Sequence, residues 1–293
     1  MDTDLLTRKF EELGVRMLIS PANHGWGEIP RPLALDIARD HRGEYFALRV
    51  DERQVERLEA IDVKPRERHL LLLAQVRAFD GPVRYNNGRA WKSTVAWLPP
   101  LSKTVEKPRF LCGHDERHWF VAAIPESAHA ANVRAAMEAL KPEAVITAQA
   151  RAALRSDRRF TRKNRAFVRQ GEWFFLPQPD LVVPESLVLR NEPLQRSGGK
   201  AHWAEFAYRQ GGETVYVSQS FPNGLTEAAF REYAAKADPN REQFRVMRRG
   251  ARMYVRGRIA HPDHATVMLR MWHEVVMNTE NHASASRNVV FLD

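Results

Sequence analysis

The stretch AHAANVRAAMEALKPEAVITAQARAALRSDRRF, residues 128–160, decides how the chain reads. Val133, Met137 and Leu140 recur at helical spacing, and Leu140-Lys141-Pro142 interrupts the pattern. Pro142 and Glu143 then suit the start of a second helix: proline at the first position forfeits no intrahelical bond, and an acid meets the positive end of the dipole. The spacing predicts a helical pair that runs to about Phe160 and divides the protein.

On the N-terminal side, Leu6, Phe10 and Leu13 have the spacing of a short helix, and residues 33–40, after Pro30-Arg31-Pro32, read as another. Residues 45–50, the leucine run within 69–77, and the segments 109–111 and 119–124 have strand length and composition. On the C-terminal side, 172–176, 182–189 and 215–217 read as strands and 226–237 as an amphipathic helix. Residues 253–259 and 265–277 alternate as a long hairpin turning at Pro262-Asp263, although Asp263 also suits the cap of a helix from Ala265. No βαβ rhythm is sustained. The expected fold class is α+β, with mixed or antiparallel sheets, a central helical pair and two sub-domains. The expected regions are a β-rich 1–127, the helical pair with a basic stripe at 128–169, and an α+β region at 170–293.

A chain of 293 residues with 44% hydrophobic and 28% charged residues has the composition of a packed globular protein. No apolar run approaches the roughly 18 residues that span a bilayer, and the acidic start Met1-Asp2-Thr3-Asp4 is unlike a secretory signal. With a single cysteine, Cys112, no internal disulfide forms. These features make a cytoplasmic location and no membrane partner the expectation.

The net charge of +9 is concentrated. Residues 151–169 hold Arg151, Arg155, Arg158, Arg159, Arg162, Lys163, Arg165 and Arg169 against the single acid Asp157, a net +7 that leaves +2 for the other 274 residues. Arg151, Arg155, Arg158 and Arg162 fall at i, i+4, i+7 and i+11, one stripe of a helix, and arginine forks pair with phosphates. A second basic and aromatic group, Arg84, Tyr85, Arg89, Trp91 and Lys92, surrounds Asn87-Gly88 and is composed for stacking on bases. The leading expectation is nucleic-acid binding, to RNA or single strands, through this arginine-rich helix. A solvated helix face and a hairpin tip are the ordinary readings of the same residues, and an acidic protein partner is a further alternative.

His261-Pro262-Asp263-His264 is the densest candidate for catalysis, two imidazoles and a carboxylate able to approach a metal or a phosphate. His273 is too far along either a strand or a helix to join them, so an ion at this turn needs a ligand from elsewhere, for example His202 or the turn from His114 to His118. The corresponding expectation is a metal-dependent hydrolase or phosphodiesterase centred on His261, Asp263 and His264, weighed against a plain Pro-Asp turn. Cys112, two residues from His114, reads as an activated thiol or as a buried strand residue. No P-loop, zinc helix, nucleophile elbow or dinucleotide fingerprint is present, and no motif names a cofactor.

Overall fold

The computed structural model describes residues 2–21, 32–77, 83–85, 94–96, 105–195, 200–236, 242–282 and 289–290. In chain order these form helix α1 (Thr3–Glu11) and strands β1 (Arg16–Pro21), β2 (Leu33–Asp40), β3 (Gly43–Val50), β4 (Val55–Lys64) and β5 (His69–Val76). The short pair β6 (Val83–Tyr85) and β7 (Thr94–Ala96) precedes the hairpin β8 (Arg109–Asp115) and β9 (His118–Ile124), and helices α2 (Val133–Ala139) and α3 (Glu143–Arg151) follow. Next come β10 (Val168–Gln170), β11 (Trp173–Pro177), β12 (Leu189–Leu194), β13 (His202–Gln210), β14 (Glu213–Val217) and β15 (Leu225–Thr226). Helix α4 (Glu227–Lys236), β16 (Arg245–Arg249), β17 (Arg252–Ala260), β18 (Val267–Met277) and β19 (Val289–Val290) complete the order.

At 48% strand and 20% helix the molecule is mostly β, which corrects the α+β expectation. Both central helices form, but at seven and nine residues they are covers on sheets rather than a layer of their own. Residues 33–40 are a strand, not a helix. Leu33 and Ile37 satisfy either period, but Leu33 and Leu35 alternate into the core and the segment pairs with β3 along its whole length.

Two four-stranded sheets, β1-β3-β2-β19 and β4-β5-β8-β9, enclose one core in which Phe10 of α1, Phe46, Leu72, Phe110 and Trp119 meet. The leucine run is explained by burial on both faces of β5. Leu70 and Leu72 point into this core while Leu71 joins Leu111, Val133 and Ala136 beneath α2.

The six-stranded antiparallel sheet β10-β11-β18-β17-β13-β12 curls round a core of its own. Phe175, Leu194, Ala204, Ala207, Val255, Ile259 and Leu269 come from five of its strands and pack on one another. The long C-terminal hairpin is present as β17 and β18. Val145 of α3 packs outside this sheet on Phe167, Phe174 and Leu176.

Helix α3 ends at Arg151, so the arginine row at 151, 155, 158 and 162 does not lie on one helix. Ala153 takes a left-handed φ of 46°, which stops the helix, and the Leu154 amide bonds back to the Gln149 carbonyl at 3.2 Å. The buried Gln149 side chain then donates to the Arg159 carbonyl at 2.7 Å, holding the following segment as turns. Arg84 and Tyr85 lie on β6, and Arg89, Trp91 and Lys92 lie outside the described residues. Among the described residues no helix is long and apolar enough to cross a membrane.

Phe46 is fully buried, 4.9 Å from the Phe10 ring and 5.6 Å from Trp119. Phe46→Ala is expected to lower unfolding free energy by about 3–5 kcal/mol in a denaturant titration. The exposed Val246→Ala is expected to change it by less than about 0.5 kcal/mol.

Candidate metal centre

The antiparallel register of β13 and β17 pairs Trp203 with Ala260, so the residues immediately outside that pair, His202 and His261, leave the sheet side by side. Their rings stack with centroids 4.1 Å apart and 24° between planes. The turn that leads from β17 to β18 brings His264 back onto the same group, 4.7 Å from His261 and 5.5 Å from His202 between centroids. One ligand nitrogen from each of the three histidines lies within 4.8 Å of the other two, close enough for a small adjustment of the rings to bring them onto one cation.

Neighbouring elements hold the turn in place. Gln170, at the end of β10 and itself buried, donates through Nε2 to the carbonyls of Ala265 at 2.7 Å and Ile259 at 3.4 Å. From the other side the Glu116 carboxylate, in the β8–β9 turn, accepts the Ala265 amide at 2.6 Å. His261 Nδ1 accepts the Asp263 amide at 3.1 Å, closing the turn on itself.

Two features of the cluster fit a cation. His202 is 1% exposed, yet neither of its ring nitrogens has a hydrogen-bond partner. Leaving a buried polar group without one costs about 1–3 kcal/mol, a penalty that coordination removes. Gly171, in the β10–β11 turn with φ of 56°, faces the cluster with nothing but hydrogen. A Cβ built there falls 2.8 Å from His264 Nε2 and 3.3 Å from His202 Nε2, so the glycine leaves a cradle beside both nitrogens. His264 Nδ1, on the opposite edge of its ring, is buried without a hydrogen-bond partner, 3.7 Å from the Glu116 carboxylate. Burial, reinforced by the neighbouring histidines, pushes His202 down to about 3 and His264 down to about 4. Both are therefore neutral, the ligating form, at physiological pH.

The cluster opens on a cavity of about 450 Å³ whose wall includes Glu44, His118, Lys200 and Asp263. Asp263 is at the rim rather than among the imidazoles. Its Oδ2 accepts Lys200 Nζ at 2.9 Å, and its Oδ1 lies 4.0 Å from His118 Nε2. His118 Nδ1 lies 2.7 Å from Glu44 Oε1. Burial raises the Glu44 carboxyl, but bonds from the Trp119 amide, His118 and Arg39 outweigh it and hold the group below its ordinary value. An ionised carboxylate only accepts, so Nδ1 donates to Glu44 and Nε2 is the ring nitrogen on the Asp263 side.

Of the two expected sources of an outside ligand, His202 joins the cluster; His118 reaches the cavity, and His114 packs edge-on against Trp119 at 5.0 Å. The basic segment is divided. Arg162 pairs with Asp115 and Glu116, and Arg169 with Asp115 at 2.9 Å. Burial and the charge of Arg169 lower Arg162 to about 10, which leaves it cationic at neutral pH. Arg159 lines the cavity, Arg165 donates to the Ala152 carbonyl, and Lys163 bridges Val168 through the backbone. Arg155 and Arg158 are exposed beside Asp157. Cys112 is fully buried, and burial pushes its thiol far up, the opposite of activation.

Gly171, Gln170, Glu116 and Glu44 carry no role in the sequence reading, which names His118 only as one end of the turn that could supply an outside ligand. No protein-family model, curated protein or solved structure matches the chain.

Gly171→Ala is expected to weaken zinc binding at least tenfold in a competition titration with a chromophoric chelator, and Glu116→Gln by about 10–100-fold. Cys112 is expected to be inert to a thiol-specific reagent in the native protein and to react fully in denaturant, checked by absorbance of the released chromophore.

Proposed function

We propose that the chain is a metal-dependent hydrolase whose ion is held by His202, His261 and His264. The observation that carries this reading is the proximity of three imidazoles, one nitrogen of each within 4.8 Å of the other two, with the most buried of them lacking a hydrogen-bond partner for either nitrogen. Nε2 of His202 and His264 face the Gly171 cradle, and His261, whose Nδ1 accepts the Asp263 amide, would supply the third nitrogen. Three imidazole ligands would suit zinc, which would polarise a scissile carbonyl or phosphoryl group and lower the pKa of a bound water.

The chain's own residues complete the chemistry. His118, with its tautomer set by Glu44, accepts a proton at Nε2 and returns it to the leaving group. Lys200 and Arg159, on a cavity wall that also carries Glu44, Asp115, Glu172, Asp263 and Glu280, are the cations that would hold an anionic substrate such as a phosphodiester, and Lys200 also holds the Asp263 carboxylate at the rim. The arginine-helix version of nucleic-acid binding has lost its helix; the polyanion reading rests instead on the surface described below.

Protein stripped with a chelator and titrated with zinc is expected to take up one ion per chain by calorimetry and metal analysis. His202→Ala and His264→Ala are each expected to abolish that stoichiometric uptake. Zinc-loaded protein is expected to hydrolyse bis(p-nitrophenyl) phosphate, with His118→Asn keeping the ion but losing about 10²–10⁴-fold in rate. Wild-type protein that fails to retain zinc, manganese or iron(II) overturns the reading.

A further inference from the structure

The outer face of the six-stranded sheet carries a second basic and aromatic surface, separate from residues 151–169. Across three adjacent strands, Arg190, Phe206 and Arg256 stand in one row, opposite each other in register. Their neighbours Ala207 and Val255 point into the core, so this row points out. The guanidinium groups of Arg190 and Arg256 lie 5.1 and 5.4 Å from the Phe206 ring centre, and Arg256 also lies 5.0 Å from Trp272.

Farther along the same face, Trp203 is opposite Ala260 and Arg258 is opposite Met268. Trp203 is 51% exposed and Met268 62%. In the other direction Tyr208 stacks on Tyr254 at 5.9 Å, and Arg252 stands opposite Gln210. From Arg245 to Arg258 the chain has six arginines and no acid. The acids near the face are Glu274, opposite Tyr254; Glu205, which accepts the Arg258 amide at 2.8 Å; and Glu185, 3.1 Å from Arg190.

We propose that this outer face binds single-stranded nucleic acid, with bases stacking on Trp203 and phosphates held by Arg252, Arg256 and Arg258. Charge complementarity selects a polyanion. Planarity selects among polyanions: guanidinium groups over aromatic rings beside an exposed indole form a platform across several strands, and bases offer a π-face to such a platform whatever their sequence. An acidic peptide adding as a strand engages one sheet edge instead. The proposal stands independently of the metal reading, although Trp203 and Ala260 place one end of the platform beside His202 and His261.

The test is fluorescence anisotropy of a labelled 20-nucleotide oligo-U and oligo-dT with the full chain, between 50 and 200 mM salt, with and without prior chelator treatment. Expected are binding that weakens with salt and is the same in both preparations, a loss of tenfold or more in Arg252→Glu/Arg258→Glu, and a loss of about tenfold in Trp203→Ala. Arg155→Glu/Arg158→Glu, on the earlier-favoured segment, is expected to change affinity less than threefold. Trp203→Ala removes a half-exposed side chain, and circular dichroism confirms that each variant is folded. Absence of binding by wild type at 50 mM salt overturns the proposal, as does affinity that survives the Arg252, Arg258 and Trp203 substitutions. Binding of labelled polyglutamate, with no binding of either oligonucleotide, overturns it in favour of an acidic protein partner.

Discussion

One pairing, Trp203 with Ala260, sets the geometry on which both proposed surfaces depend. Because strands β13 and β17 reach the end of their ladder together, His202 and His261 emerge in contact, and the turn into β18 has only to return His264 to complete the cluster. A slip of one residue would exchange the two faces, turning Trp203 inward and His202 out. That slip is opposed by Ala204, Ala207, Val255 and Ile259, all fully buried in the curled core. The apolar packing of the sheet therefore fixes the position of its polar end, and the register shift between Ala204 and Phe206 leaves Phe206 beside Arg256 on the outer face.

A second constraint joins the basic segment to the cluster. Asp115 and Glu116 extend from the β8–β9 turn and meet Arg162 and Arg169. Charges removed from water are tolerated when paired in this way, and loss of one partner leaves the other uncompensated. The network holds Glu116 where it can accept the Ala265 amide and lie beside His264. Part of the positive charge concentrated at residues 151–169 thus serves to position the histidine turn, while the arginines on the outer sheet face remain spread over aromatic rings.

What was legible in the sequence depended on how local the cause was. The C-terminal hairpin followed from alternation within 253–277, and the leucine run at 70–73 read as a strand because a strand buried on both faces needs no alternation. Residues 33–40 misled because Leu33 and Ile37 fit either period, and pairing with β3 decides between them. The second central helix was drawn too long because nothing in Ala152-Ala153-Leu154 marks the left-handed turn at Ala153. His261, Asp263 and His264 were visible as a motif. The order within it was not: Asp263 pairs with Lys200 at the rim, while the third imidazole comes from His202, far upstream and brought in by strand register. Gly171 could not have been found from its neighbours, since its importance lies in two rings that reach it through tertiary contact.

The most direct measurement of the central claim is the zinc K-edge X-ray absorption spectrum of the stoichiometrically loaded protein. The account predicts a first shell of nitrogen and oxygen at about 2.0–2.1 Å, with outer-shell scattering that fits three imidazoles in the wild type and weakens in His202→Ala. A spectrum with sulfur in the first shell, or with oxygen alone and no imidazole scattering, would contradict it.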